Sequence, residues 1–332
     1  MNAKPYHVAV IPGDGIGPEV IDAAVAVLKA TDVEFEFKRY PAGDACLIKH
    51  GAALPEATLQ GALQADAVLF GAVGNTAADV ILRLRKELGT FVNLRPARAL
   101  PGVKCLHPQT NLVIVRENTE CLYAGIESQI APGVVTATRV ISEAASTRIA
   151  RYAFEYARSH GFTKVTAVHK ANVLKQSDGL FLHCTREVAG DFSDVQYEEA
   201  LVDSTAMLMV MQPHRYQVLL TTNLFGDILS DLAAALIGGL GLCPSANLGE
   251  KHALFEPVHG TAPDIAGKGV ANPSAAILCG AMLMQHLGEQ PAAQRIERAL
   301  TAVMAGGQTT PDLGGTLSTG LMAEAVIAQL VR

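Results

Sequence analysis

Asp227 and Asp231 lie four residues apart in NLFGDILSD, Asn223 to Asp231. On a helix that spacing sets both carboxylates on one face, about one turn apart. Like charges so placed repel unless a cation sits between them. Oxygen-only ligands suit Mg²⁺ or Mn²⁺ better than zinc. The plainer alternative is a solvated helix face that carries two acids. The run continues as LAAALIGGLGL, so the acidic edge is anchored to apolar core. Asp203, in EEALVDSTAM, is a candidate third carboxylate from a distant segment; otherwise it is an ordinary solvated Asp.

Arg85, Arg95 and Arg116 are candidates for one anion site. The planar guanidinium makes paired, charge-assisted hydrogen bonds to carboxylates, so three converging arginines would point to a di- or tricarboxylate. Each alone is as readily a surface or structural residue, although Arg116 ends a strand-like run. Tyr123 and Lys170 are candidate proton handlers, and a pKa lowered by neighbouring cations would suit either. Their plainer roles are a rim aromatic and a solvated strand end. FEPVHGTAPDIAGKGVANP, Phe255 to Pro273, is too rich in Gly and Pro for a continuous helix. Such a loop can wrap a flat ligand with backbone groups or serve as rigid structure. Asp264 within it could accept from ribose hydroxyls and would repel a 2'-phosphate, favouring NAD over NADP. GDGIGPE, Gly13 to Glu19, follows the first strand but is not GxGxxG, so it reads as a turn bordering a cleft.

These residues fall on an alternation of strand and helix signals. HVAVI (His7 to Ile11), DAVLFG (Asp66 to Gly71), LVIVREN (Leu112 to Asn118), GVVTATRVIS (Gly133 to Ser142), KVTAVHK (Lys164 to Lys170) and YQVLLTTN (Tyr216 to Asn223) read as strands. Helices are expected from about Pro18, through EAASTRIARYAFEYARSHG, and in QRIERALTAVMAGG and GLMAEAVIAQLV. In the second of these, Ile149, Ala153, Phe154 and Ala157 form an apolar stripe, and Gly161 supplies a stop. The class is α/β throughout, without repeats.

The composition permits this. The chain has 332 residues, 49% of them hydrophobic, with 30 glycines. That is enough for one large unit or two ordinary domains. Trp is absent and aromatics are 5%, so Ala, Leu, Val and Ile must fill the core. A net charge of -6 argues against a nucleic-acid surface. The six cysteines form no CxxC, which disfavours zinc and iron-sulfur sites and suits a reducing compartment. MNAKPYHVAVIPGDG has no signal-peptide h-region and no run reads as a membrane span, so cytoplasm is expected.

GDGIGPE, LRK…NLRP, RENTE, HKANV, NLFGDILSDLAA, FEPVHGTAPDIAGKGVANP and TPDLGG together resemble the β-decarboxylating dehydrogenases. That family includes isocitrate, 3-isopropylmalate, homoisocitrate and tartrate or D-malate dehydrogenases. The motifs run over nearly the whole chain. The resemblance implies a two-domain isopropylmalate/isocitrate dehydrogenase-like fold, distinct from the classical Rossmann fold. It implies a large domain of residues 1–97 plus 245–332 and a small domain of residues 98–244 carrying the dimer contact. It makes Arg85, Arg95 and Arg116 carboxylate ligands and Tyr123 the catalytic tyrosine. Lys170 and Asp203 match residues that a second subunit donates; Asp227 and Asp231 match metal ligands of the first. Residues 259–272 match the adenosine loop, with His259, Gly260 and Asn272 in it. Asp264 and Ile265 stand where NADP enzymes typically carry Lys-Tyr. The implied reaction is oxidation of a 2-hydroxy acid, with Lys170 taking the hydroxyl proton, then loss of CO₂ and protonation of the enolate by Tyr123.

Substrate choice in this family is implied to lie in the helix before LRK, here DVILRLRK. Isocitrate enzymes typically show a Ser and an Asn where this chain has Asp79 and Ile81. Asp79 would repel a third carboxylate, and Ile81 cannot donate to one. Ile81 and Leu82 resemble the apolar pair that receives an isopropyl group; otherwise they are helix core. 3-Isopropylmalate is therefore the expected substrate. Homoisocitrate, D-malate or tartrate, and isocitrate stay open, because RENTECLY resembles those other branches and Cys121 replaces a common Gly. The short Gly71 to Val80 segment also removes much of the usual wall, and GAVG is shared with the D-malate and tartrate enzymes. A catalytically silent regulatory subunit is the non-enzyme alternative.

Overall fold

In the computed structural model, which describes residues 4–330, the chain forms two compact units. The first runs to Thr90, takes Ala99–Pro108 and resumes at Ile237; the second comprises Phe91–Arg98 and Gln109–Leu236. Residues 99–108 and 237–244 thus lie with the first unit.

The first unit opens with β1 (Tyr6–Gly13), α1 (Gly17–Lys29), β2 (Phe35–Arg39), α2 (Asp44–His50), α3 (Glu56–Gln64), β3 (Ala67–Ala72) and, after a π turn at Ala78–Leu82, α4 (Arg83–Glu87). The second contains β4 (Val92–Arg98), β5 (Asn111–Glu117), β6 (Glu127–Ala131), β7 (Val134–Ala137), α5 (Glu143–Ser159), β8 (Lys164–His169), α6 (Ser177–Gly190), β9 (Gln196–Leu201), α7 (Val202–Met211), β10 (Val218–Thr221) and most of α8 (Asn223–Ile237). The chain then completes the first unit with β11 (Pro244–Leu248), β12 (Ala253–Pro257), α9 (Ser274–His286), α10 (Gln290–Ala305) and α11 (Thr319–Leu330).

Strands of the first unit lie in the order β2-β1-β3-β12-β11, parallel except between β12 and β11. Those of the second lie in the order β4-β5-β10-β8-β9, parallel except between β4 and β5. One antiparallel pair in each set separates this architecture from an all-parallel doubly wound sheet. Parallel strands covered on both faces read as unbroken apolar runs, and every residue of β3, AVLFGA, is buried.

α5 shows how sequence fixes an element here. The Ser142 hydroxyl accepts from the Ala145 N–H at 3.2 Å, capping the first turn. Ile149, Ala153, Phe154 and Ala157 then fall on one side and are fully buried. Phe154 stacks on Phe192 at 5.2 Å between ring centroids. Burying Ile149 and Phe154 contributes about 1.5–3 kcal/mol each.

Only Val134–Ala137 of the expected strand at residues 133–142 forms β7. It pairs with β6 in a hairpin whose residues are all exposed, and Val140 instead bridges Cys121. Period-two alternation marks the hairpin but does not reveal that the chain leaves it to reach the cap of α5.

Candidate active site

In the second unit, β5 delivers Arg116 from its C-terminal end and α8 delivers Asp227 and Asp231 from consecutive turns. Leu229, Ser230, Ala233 and Ala234 fasten α8 to the core, which leaves Asp227 half-buried and Asp231 exposed. Asp227 is the hub. Its Oδ1 accepts from Arg116 Nη1 at 2.5 Å and from Arg95 Nη1 at 3.2 Å, and its Oδ2 accepts from the Tyr123 hydroxyl. Arg95 also donates to Ser230 Oγ at 2.6 Å and stands 3.8 Å from Asp231. Arg116 is 1% exposed, so its charge must be paired, and Asn223 Oδ1 takes its Nε and Nη2 at 3.0 and 2.6 Å. Its guanidinium also stands 4.9 Å from the centre of the Tyr123 ring.

Tyr123 differs from the sequence expectation. Burial pushes its hydroxyl above the ordinary phenol range, and the hydrogen bond to Asp227 adds to this, while Arg116 opposes both. The phenol is held protonated, which suits a proton donor and not a base. Burial likewise raises the Asp231 carboxyl, Asp227 raises it further, and Arg95 and Arg116 act against them.

Lys170 follows β8, and its ammonium is 2.8 Å from Asp203 on the first turn of α7. Lys170 lowers the Asp203 carboxyl. Among the described residues no three His, Cys, Asp or Glu side chains converge on a metal-sized site. Within one chain, then, Asp203 does not join Asp227 and Asp231. The two α8 carboxylates are nonetheless hard oxygen donors one turn apart, and they fit part of the shell of Mg²⁺ or Mn²⁺.

A buried network that the sequence did not disclose ties these segments together. Asp178, fully buried, accepts the Lys170 backbone N–H at 2.6 Å and also binds Arg139. Arg139 reaches Ser177 Oγ at 3.0 Å, Thr222 Oγ1 at 3.0 Å and Cys121 Sγ at 3.3 Å. One guanidinium thereby holds the Lys170 segment, the strand leading to α8 and the residue two before Tyr123. Cys121 itself has φ +71°, a conformation that favours Gly. Asn223 also escaped the sequence reading, although it opens the same NLFGD run as Asp227.

In the first unit, Arg85 is buried on α4 and donates to Glu256 Oε1 of β12 at 2.7 Å. Asn247 of β11 donates to the same oxygen at 2.7 Å. Ile81 and Leu82 lie in the π turn and are half-buried; Ile81 packs against the core around Phe70 and Leu84. Asp79 is exposed.

The turn GDGIGPE buttresses the loop at residues 259–272. Gly13 and Gly15 have φ of +73° and +60°, which bends the chain so that the Ile16 N–H reaches Thr261 O at 2.9 Å. The Glu19 carboxylate accepts from the Gly267 N–H. Within the loop, Asp264 and Gly260 are exposed, and Ile265 is half-buried. His259 Nδ1 lies 3.0 Å from Gly260 O, while its Nε2 is buried with no hydrogen-bond partner. Burial lowers the imidazole pKa, so the ring is neutral near pH 7. An orphaned polar atom beside exposed Asp264 and Gly260 fits a nucleotide cofactor. Asn272 has a structural task instead: its Oδ1 accepts from Ser274 N and Oγ at 3.0 and 2.6 Å, starting α9.

Residues 7–326 match the isocitrate/isopropylmalate dehydrogenase family model. The chain is 55% identical over 323 residues to a 3-isopropylmalate dehydrogenase of Archaeoglobus fulgidus, covering 97% of this chain and 99% of that protein. It is 48% identical over 331 residues to an isocitrate/homoisocitrate dehydrogenase of Thermus thermophilus, covering 98% of each. The crystal structure of isocitrate dehydrogenase from Methylococcus capsulatus superposes with a TM-score of 0.96 at 47% identity, covering 98% of this chain and 100% of that one.

Proposed function

The chain belongs to the isocitrate/isopropylmalate dehydrogenase family, and we propose that it oxidises and decarboxylates a 3-carboxy-2-hydroxy acid with NAD⁺ and a divalent cation, 3-isopropylmalate being the substrate its residues favour. The observation that carries the substrate is the apolar pair Ile81 and Leu82, half-buried in the turn that runs into Arg85, with exposed Asp79 nearby in the same turn. An isopropyl group gains by covering these side chains. A third carboxylate would meet the charge of Asp79 and find no donor in Ile81. One or two methyls so covered are worth about 1–3 kcal/mol.

Arg95 and Arg116 orient the substrate carboxylates through charge-assisted hydrogen bonds. Asp227 and Asp231, with Asp203 of a second copy, would hold Mg²⁺ or Mn²⁺, which stabilises negative charge developing on the substrate oxygen. Lys170 takes the hydroxyl proton as hydride leaves C2 for NAD⁺. The 2-oxo acid then carries a carboxylate β to its carbonyl. That carbon-carbon bond breaks, CO₂ leaves, and the bonding pair becomes an enolate. Tyr123, kept protonated by burial, gives its proton to the carbon that lost CO₂. Oxidation comes first because the bonding pair needs the new carbonyl to accept it. His259, Gly260, Asp264, Ile265 and Asn272 belong to the adenosine loop, where Asp264 accepts from ribose hydroxyls and disfavours a 2'-phosphate.

Self-association supplies Lys170 and Asp203 to the neighbouring site. Support comes from exposed apolar side chains in the second unit: Ile130, Val134 and Val135 of the hairpin and Met207 and Met211 of α7. Such contiguous apolar residues mark a surface meant to be covered. Six free cysteines support a reducing cytoplasm, and among the described residues no helix is long and apolar enough to cross a membrane.

The test is NADH formation with Mg²⁺ or Mn²⁺ on 3-isopropylmalate, homoisocitrate, D-malate, tartrate and isocitrate. The highest kcat/KM is expected for 3-isopropylmalate. Strong preference for isocitrate would overturn the pocket reading, and no NADH from any of them would make the chain a silent regulatory subunit.

A further inference from the structure

Two carboxylates of the first unit form a relay that ends at the π turn. Asp14, in the turn after β1, accepts from the backbone N–H groups of Asp44 at 2.7 Å, Ala45 at 3.0 Å and Gly74 at 3.2 Å. Asp44, first residue of α2, accepts from the N–H groups of Asn75 and Thr76, both at 2.9 Å, and from the Thr76 hydroxyl at 2.7 Å. The Thr76 carbonyl in turn accepts from the N–H groups of Asp79 and Val80, each at 3.0 Å. That residue therefore starts the turn Ala78–Leu82, and its own N–H and hydroxyl are both held by Asp44.

The backbone is shaped for this contact. A Cβ at Gly43 would fall on the Asp14 carboxylate, and one at Gly74 on the Asp44 carboxylate. The Thr76 hydroxyl and the amides of Asn75 and Thr76 hold the Asp44 carboxyl below its ordinary range. Hydrogen bonds to an ionised acceptor are roughly twice as strong as neutral ones. Beyond the clamp, Val80 and Leu84 are fully buried and fix the far side of the turn. The turn is thus held at both ends, by apolar core on one side and by Asp44 on the other. A π turn is a wide, uncommon helical turn found most often at functional sites. Its register depends on where its first acceptor, Thr76 O, is held.

We propose that Asp44 is a positioning residue for substrate choice: by gripping Thr76 it sets the π turn and so fixes where Ile81 and Leu82 stand. The inference rests on the reading of Ile81 and Leu82 as the pocket for the substrate's side chain. Asp44 touches no reacting atom. It acts through the backbone, so its loss alters discrimination between a branched and an unbranched substrate more than it alters the shared chemistry.

The experiment uses the full chain and the variants Asp44→Ala, Asp44→Asn and Thr76→Val, with two readouts. Hydrogen exchange is followed across residues 75–82, and kcat/KM is measured with 3-isopropylmalate and with D-malate, which has no branch. Asp44→Ala is expected to speed exchange in this segment and to lower the isopropylmalate-to-malate ratio about tenfold or more, the range set by one or two pocket methyls. Thr76→Val, which loses only the hydroxyl, shifts both readouts in the same direction by less, and Asp44→Asn, which keeps one acceptor, falls between. Unchanged exchange overturns the clamp. Faster exchange with the ratio held within about twofold, well under the discrimination a pocket methyl provides, overturns the role in substrate choice. If Asp44→Ala does not fold, Thr76→Val decides by the same criteria. A wild-type chain that makes no NADH from either substrate defeats the proposed function and the specificity role with it, whereas the exchange result separately reports whether Asp44 holds the turn.

Discussion

The Lys170 ammonium lies 2.8 Å from the Asp203 carboxylate, while Asp227 of the same chain is occupied by Arg95, Arg116 and the Tyr123 hydroxyl. The proton acceptor and one candidate metal ligand are therefore partnered with each other, and the proton donor with another ligand. If two copies exchange the Lys170–Asp203 pair, defects on the two sides can complement. Lys170→Ala and Tyr123→Phe should each lower kcat by about 10²–10⁴, the usual worth of a positioned acid or base. Co-refolded in equal amounts, half the dimers are mixed, and each mixed dimer has one intact site. Activity should return to about a quarter of wild type for a twofold-symmetric dimer. A mixture no more active than its components would sink the shared-site reading.

The Arg85–Glu256 pair offers a separate test within the first unit. Both side chains are about 10% exposed, and Asn247 completes the carboxylate's hydrogen bonding. Removing one partner of a buried pair leaves an uncompensated charge. Glu256→Ala should destabilise the fold by about 3–5 kcal/mol, whereas the paired replacement Arg85→Met with Glu256→Leu should cost much less. Denaturant unfolding of the single and double variants distinguishes these outcomes. Equal losses would show that Arg85 does not depend on Glu256.

The sequence disclosed elements whose signals are local. β1, β3, β5, β8 and β10 are apolar runs, and α5 has both a cap and a stripe, so each could be read from its own residues. β11 and β12 carry Pro and polar residues and become strands by pairing with each other, a contact with no local signature. The site divides the same way. Asp227 and Asp231 stand out because one helix turn relates them. The grip of Arg139 on Asp178 and Thr222 spans 39 and 83 residues, so no spacing rule could find it. The raised pKa of Tyr123 was hidden for the same reason, since burial is set by the packed fold.

Asp264 predicts the cofactor. It is exposed in the loop at residues 259–272, where its negative charge meets whatever substituent the adenosine ribose carries. Ribose hydroxyls can donate to it; a 2'-phosphate cannot. NAD⁺ should give at least about tenfold higher kcat/KM than NADP⁺, corresponding to about 1.4 kcal/mol. Asp264→Lys should reduce or reverse that ratio. Initial rates with both nucleotides settle the matter, and wild-type preference for NADP⁺ would reject the assignment.

His259 predicts how stability depends on pH. Burial lowers the imidazole pKa from its ordinary value of 6.5, and its neighbouring carbonyls only partly oppose that shift. Below about pH 6.5 the unfolded chain binds a proton at this ring that the folded chain does not. The contribution of His259 is therefore fully present above that pH, declines as pH falls, and levels off below the folded pKa. Its slope is at most about 1.4 kcal/mol per pH unit. His286 is lowered by burial as well and adds to the same acid limb. His259→Asn should flatten the wild-type curve in part, so that the wild type gains stability over the variant as pH rises toward neutrality. Urea unfolding from about pH 5.5 to about pH 8 spans the transition. A stability difference that stays constant across that range would mean that His259 titrates alike in the folded and unfolded chains, and the buried, neutral ring assigned to the adenosine loop would have to be abandoned.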